Sequence, residues 1–180
     1  MSELKFGNCN DPSLIKWFAL LKAQLTESEQ LRTVNDFFNE TIAYKDDSVT
    51  WKETDYWATP IELMRKGAGD CEDYAIAKYM TLRLLGVPSS KMRITYVKAL
   101  TQNIAHMVLV YEGKVLDNLV GDIRPVSQRT DLLPVYSFNA EGLYLPSVKG
   151  DLRTSDTKNL SRWQDVLQKM RCEGFDLGEG

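Results

Sequence analysis

The stretch from Gly67 to Leu85 constrains this chain more than any other, because it joins a glycine-rich turn to a helix with almost no polar face. Gly67-Ala68-Gly69 leads into Asp70-Cys71. From Cys71 onward Tyr74, Ala75, Ala77, Met80, Leu82 and Leu85 form a nearly continuous apolar run that stops at Gly86, with Pro88 just beyond. A helix apolar on nearly every side is stable only when other elements surround it. The rest of the chain must therefore coat this segment, and Cys71 is predicted to stand at the N-terminus of a buried central helix.

The coat is legible on both sides. Leu14, Trp17, Phe18, Leu21 and Leu25 recur at helical spacing from Pro12 to about Leu25. Thr26 then precedes Glu27, Glu29 and Gln30 as an N-cap with acids in the first turn, and Leu31, Val34, Phe37, Phe38 and Ile42 continue an apolar face. The two segments predict a helical hairpin. Residues 44–57 have no helical period and read as a loop carrying Trp51, Tyr56 and Trp57, and Thr59-Pro60 opens a short helix through Met64.

After the central helix the pattern shortens to strands at Met92–Val97, His106–Tyr111 and Lys114–Leu119, with Glu112-Gly113 as the turn between the last two. Leu133–Phe138 and Leu143–Leu145 follow as short strands, and Asn159–Cys172 as a terminal helix with Leu160, Trp163, Val166, Leu167 and Met170 on one side. Helices first, then an antiparallel sheet, then a closing helix indicate an α+β fold. The 180 residues, 43% of them hydrophobic, suit one domain spanning 1–180 around one core.

Several partner classes are disfavoured. The formal net charge is −3, so the chain lacks the basic excess that neutralises nucleic-acid phosphates. Its apolar runs, such as Trp17-Phe18-Ala19-Leu20-Leu21, are far shorter than the roughly 20 residues of a membrane-spanning helix, so direct membrane insertion is not expected. The opening Met1-Ser2-Glu3-Leu4-Lys5 has neither the basic nor the apolar region of a signal peptide. The three cysteines, Cys9, Cys71 and Cys172, are too few for a disulfide framework and contain no CxxC pair, although a bridge between Cys9 and Cys172 is open.

The chemistry concentrates on Cys71. A thiolate is favoured at a helix N-terminus, where unpaired N–H groups and the helix dipole attract negative charge, and the backbone N–H of Cys71 is a candidate oxyanion donor. The flexible Gly67-Ala68-Gly69 would let a substrate chain approach. A small buried cysteine with no reactive role is the competing reading. Against it stands His106, the one histidine in the chain and thus the one side chain suited without perturbation to acid–base work near neutrality. Counting outward from the Glu112-Gly113 turn places Asp117 opposite Val108, one diagonal step from His106 on the same face, where a carboxylate can orient the ring.

Asp70, Glu72 and Asp73 flank the thiol, and three carboxylates oppose its ionisation. Two readings account for them. Asp70 as N-cap and Asp73 three residues later form a capping box, or the cluster holds a hard cation, Ca²⁺, with carbonyls and water. Trp57 reads as core, with a wall of the site as its alternative.

Gly69-Asp70-Cys71-Glu72-Asp73-Tyr74-Ala75, Ala105-His106-Met107-Val108-Leu109 and Leu116-Asp117-Asn118-Leu119 together resemble the bacterial transglutaminase-like cysteine proteinases. Asp55-Tyr56-Trp57-Ala58-Thr59-Pro60, Ile123-Arg124-Pro125-Val126-Ser127-Gln128-Arg129 and Pro134-Val135-Tyr136-Ser137-Phe138-Asn139 extend the resemblance from about Asp55 to Tyr144. It implies a papain/transglutaminase-like fold, a Cys71, His106 and Asp117 triad, and calcium at Asp70, Glu72 and Asp73. It further implies a periplasmic endopeptidase that cuts a large cell-surface adhesin near its N-terminus between two alanines, promoting biofilm dispersal. The periplasmic domain of a cyclic-di-GMP-sensing inner-membrane receptor would sequester it, and the sequence as given would lack its export signal. The hairpin between His106 and Asp117 is short for this family, which sets its tip apart. Two other functions use the same residues: acyl transfer to an amine, as in transglutaminases, or binding alone on an inactive scaffold.

Overall fold

The computed structural model describes residues 11–45, 57–146, 152–155 and 160–175. Helix α1 (Pro12–Lys22) starts where the Asp11 carboxylate accepts the Ser13 N–H and Pro12 fills the first turn. Helix α2 (Glu27–Thr41) carries the expected capping box, in which Thr26 and Glu29 exchange hydrogen bonds. The same device recurs at α3 (Pro60–Lys66), between Thr59 and Glu62. Gly67 ends α3 at φ 69°, a left-handed position that glycine adopts without steric cost.

Strands β1 (Ala43–Tyr44) and β2 (Ala68–Gly69) form a two-residue parallel bridge, with Ala43 opposite Ala68 and Tyr44 opposite Gly69. It ties the end of α2 to the turn that delivers Cys71. Neither strand is foreseeable from so short a segment. The role expected of Gly69 also changes. A Cβ there would collide with the Leu63 side chain and come within 3.0 Å of Asp73 Oδ2. Gly69 is therefore required by the protein's own packing, and the turn closes on itself rather than leaving room for a substrate chain.

Helix α4 (Cys71–Leu84) is the central helix, and every residue from Glu72 to Leu82 is buried. One side faces β3 (Met92–Ala99) and β4 (Ile104–Tyr111), and α2 and α3 cover another. The main sheet continues with β5 (Lys114–Leu116), β6 (Arg124–Pro125), β7 (Leu132–Phe138), β8 (Leu143–Leu145) and β9 (Leu152–Ser155). Its order is β6-β5-β4-β3-β7-β8-β9 with every pair antiparallel. This is the α+β papain/transglutaminase-like arrangement.

Helix α5 (Ser161–Cys172) closes the core: Trp163 is 0% exposed and meets Tyr79 and Phe138 at ring separations of 5.4 and 5.0 Å. Full burial of an aromatic or aliphatic side chain contributes about 1.5–3 kcal/mol, so Trp163 is a main fastening of α5. A thinner apolar layer of Val97, Val108 and Val115 lies in a second cluster of the sheet.

The predicted strand Lys114–Leu119 ends three residues early. Asp117 Oδ1 accepts the Leu119 N–H at 3.0 Å, so the chain curls around this carboxylate instead of continuing the ladder. The hairpin turn is the expected one, with Glu112 and Gly113 at φ 43° and 78°, as a two-residue turn of this hand demands. Cys172 is a free, exposed thiol, and Cys9 lies outside the described residues, as does most of the 44–57 loop.

Candidate active site

The capping box predicted at the central helix is present and sets the geometry around Cys71. Asp70 Oδ1 accepts the Glu72 N–H at 3.3 Å, while Asp73 Oδ2 accepts the Asp70 N–H at 3.1 Å. Asp73 Oδ1 also accepts the Ala58 N–H at 3.1 Å. Asp73 is 0% exposed, so its carboxylate locks the segment before α3 to the turn before α4. Cys71 follows as the first residue of the helix.

A cleft of about 280 Å³ opens over Cys71, and its lining includes Asp70, Glu72, His106 and Met107. Trp57, Tyr96, Tyr136 and Arg162 form its outer walls. Trp57 thus combines both readings: it stacks on Phe138 at 5.8 Å and 9°, against the core, while lining the cleft. Tyr96 and Tyr136 stack at 5.2 Å and 9°.

Asp117 reaches the imidazole as the hairpin arithmetic predicts. The paired residues Leu109–Leu116 and Val110–Val115 extrapolate to Val108 opposite Asp117, and His106 Nε2 donates to Asp117 Oδ1 at 2.6 Å. Their side chains are 1% and 0% exposed. Burial pushes the Asp117 carboxyl up, but hydrogen bonds from His106, the Leu119 N–H and Arg129 outweigh it and hold the group at about 2. Nε2 being committed, Nδ1 is the ring nitrogen left for a thiol.

Arg129 and its neighbours escape detection in the sequence. Arg129 Nη2 donates to Asp117 Oδ2 at 2.9 Å, and its Nε and Nη2 both reach Asp131 at 3.1 Å. Asn39 of α2 adds a bond from Nδ2 to the Asp117 carbonyl at 3.0 Å. Arg129 arrives from a single 3-10 turn, Val126–Gln128, with no periodicity to announce it.

Around the thiol the electrostatics run the other way. Burial first, then the charges of Glu72 and Asp70, push the Cys71 thiol far up, and the neighbouring Met107 N–H only partly opposes them. Cys71 Sγ donates to Glu72 Oε2 at 3.3 Å, and among the described residues no hydrogen bond joins it to His106. Ligand atoms of Asp70, Cys71 and Glu72 lie within 4.8 Å of one another. The carboxylate oxygens are hard donors suited to a calcium-like cation, whereas the sulfur is not. Asp73, with both oxygens on backbone N–H groups, underpins this pair.

The profile of the family described as bacterial transglutaminase-like cysteine proteinase matches residues 7–132. Legionella pneumophila LapG is 41% identical over 94% of both chains, with a TM-score of 0.79. The chain belongs to the bacterial transglutaminase-like cysteine proteinases. An EGTA-treated form of the Legionella protein gives 41% identity over 94% of this chain and 95% of that one, with a TM-score of 0.82. A calcium-bound form gives 40% over 93% and 96%, with a TM-score of 0.79. Comparison with curated proteins gave no match. Of the two described cysteines only Cys71 lines the cleft.

Proposed function

We propose that this protein is a calcium-dependent cysteine endopeptidase of the periplasm, in which Cys71 is the nucleophile, His106 the base and Asp117 the orienting carboxylate. The observation that carries the reading is Cys71 and His106 lining one cleft while Asp117 holds the far side of the ring. The Cys71 proton passes to His106 Nδ1 as Sγ bonds to the peptide carbonyl carbon. Asp117 supports the resulting imidazolium, which then protonates the departing amine as the C–N bond breaks. Water, deprotonated by the neutral imidazole, hydrolyses the thioester and restores the thiol. Donors such as the Cys71 backbone N–H would stabilise the oxyanion.

Asp70 and Glu72 would hold the calcium ion, with Asp73 fixing the turn beneath them. When bound, the cation offsets the negative charge that now opposes thiolate formation. The calcium-bound form of the similar Legionella protein supports this part of the reading.

The substrate we propose is a large surface adhesin, cut near its N-terminus at an alanine pair and so released during biofilm dispersal. The periplasmic domain of a cyclic-di-GMP receptor would restrain the enzyme, a role that needs an exported protein. Among the described residues no helix is long and apolar enough to cross a membrane. The test is cleavage of an adhesin N-terminal fragment by wild type and Cys71→Ala, each with calcium or EGTA. Cleavage by calcium-loaded wild type alone supports the reading. Intact fragment in every lane removes it, and product masses showing an amine adduct redirect it to acyl transfer.

A further inference from the structure

The sheet face turned away from α4 carries another cavity, of about 170 Å³. Its floor is Val108, Val110 and Val115, with Val110 paired to Val115 across β4 and β5. These positions alternate with Leu109 and Leu116, which enter the main core, so the valines face the other way. Val126, Arg129 and Leu132, three residues apart, enclose this floor from the segment before β7. The Arg129 N–H donates to the Val126 carbonyl at 2.9 Å, and the Leu132 N–H to the Arg129 carbonyl at 3.1 Å. Val126 is 44% exposed, so the enclosure is open to solvent at that end.

Arg129 is the polar end of the cavity. It is 5% exposed, and its five N–H donors are unevenly used. Nε and Nη2 form a side-on pair to Asp131, both at 3.1 Å, and Nη2 also reaches Asp117 at 2.9 Å. Nη1 is the corner of the planar group turned away from Asp131. It is buried and has no hydrogen-bond partner among the described residues. A second cation, Arg93, also lines the cavity, its guanidinium held over the Tyr144 ring at 3.8 Å, and no carboxylate lines it. A buried charged donor without an acceptor is unfavourable, so the complementary ligand brings acceptor oxygens on an apolar body. An apolar cavity of about 150 Å³ takes a benzene-sized body, which suits a small molecule rather than an extended chain.

We propose that this cavity is an effector site for a small apolar carboxylate, whose oxygens accept from Arg129 Nη1 and whose body lies on the valine floor. The same guanidinium holds Asp117, and Asp117 holds His106 Nε2 at 2.6 Å. Occupancy therefore reaches the imidazole through two consecutive hydrogen bonds. Neither the ligand nor its readouts depend on peptidase activity.

The full chain is titrated with phenylacetate, with its neutral counterpart phenylacetamide, and with an acetylated dipeptide ending in phenylalanine, by calorimetry and by NMR. Phenylacetate is expected to bind one to one and about tenfold or more tighter than the amide. It should give ring-to-methyl contacts at Val110 and Val115, and displace the Nε2 proton signal of His106, the sole histidine, along the same isotherm. Val110→Phe, which fills the cavity from a half-buried position, should abolish binding, and Arg129→Met should erase the preference for acid over amide. No saturable binding of phenylacetate, or binding without those methyl contacts, would overturn the site. The wild-type contacts decide it even where a variant fails to fold. Equal affinity for the amide would overturn the carboxylate, leaving an apolar side chain of a partner as the occupant. Tighter binding of the dipeptide would overturn the small molecule in favour of a chain terminus. An unmoved Nε2 signal at saturation would overturn the effector role.

Discussion

The two walls of the cleft handle charge in opposite ways. On the His106 side, Asp117 is met by the imidazole, by Arg129 and through it by Asp131, an alternation of sign within a buried network. On the Cys71 side, Asp70 and Glu72 carry the same sign and oppose ionisation of the thiol between them. In the proposed mechanism the base is preorganised by the chain's own side chains, and the nucleophile depends on charge brought from outside. Responsiveness to an external cation would then reside in one wall only.

Asp117→Asn tests the self-sufficient wall most severely. It keeps shape but removes the charge that fixes the tautomer, and turnover is expected to fall about 10³-fold or more with the fold intact. Circular dichroism beside fragment cleavage checks it, and undiminished turnover would detach Asp117 from the mechanism. Arg129→Met removes the second hold on Asp117. A charged hydrogen bond contributes about 1.5–3 kcal/mol, so kcat should drop roughly ten- to hundredfold while KM stays close to wild type.

The same wall has an acid signature. The Asp117 carboxyl falls from 3.8 to about 2 on folding, so its stabilisation is complete above about pH 4 and disappears as pH falls through 2. The contribution is on the order of 2 kcal/mol. Urea unfolding between pH 5 and pH 3 should show a steeper loss in wild type than in Asp117→Asn; parallel curves would deny the linkage. The smallest effect belongs to the other wall. Glu72→Gln removes one opposing charge, and in EGTA the alkylation of Cys71 by iodoacetamide should quicken several-fold. An unchanged rate would mean that burial alone restrains the thiol.

Local rules made much of this legible. The Thr26–Glu29 and Asp70–Asp73 boxes are short-range patterns with one geometric solution. His106 and Asp117 could be brought together by counting because a two-residue turn fixes register and a strand alternates faces. Counting failed where a side chain competed with the ladder, as when Asp117 captured the Leu119 N–H and ended β5. It had no purchase on Arg129, which reaches Asp117 across a loop. Sheet order is similarly invisible: β7 lies beside β3, not beside β6, the strand immediately before it in the sequence.

The fastening of α5 has a consequence in time. The three proposed catalytic groups are encoded between residues 71 and 117, yet Arg162 completes the cleft lining, Lys169 Nζ grips the Trp57 carbonyl at 2.8 Å, and Glu173 accepts the Thr59 hydroxyl at 2.9 Å. A folding chain can thus bring the three proposed groups together before it possesses a finished groove. In the proposed mechanism, proteolytic competence therefore waits for α5 to dock, whatever has already formed around residues 71–117.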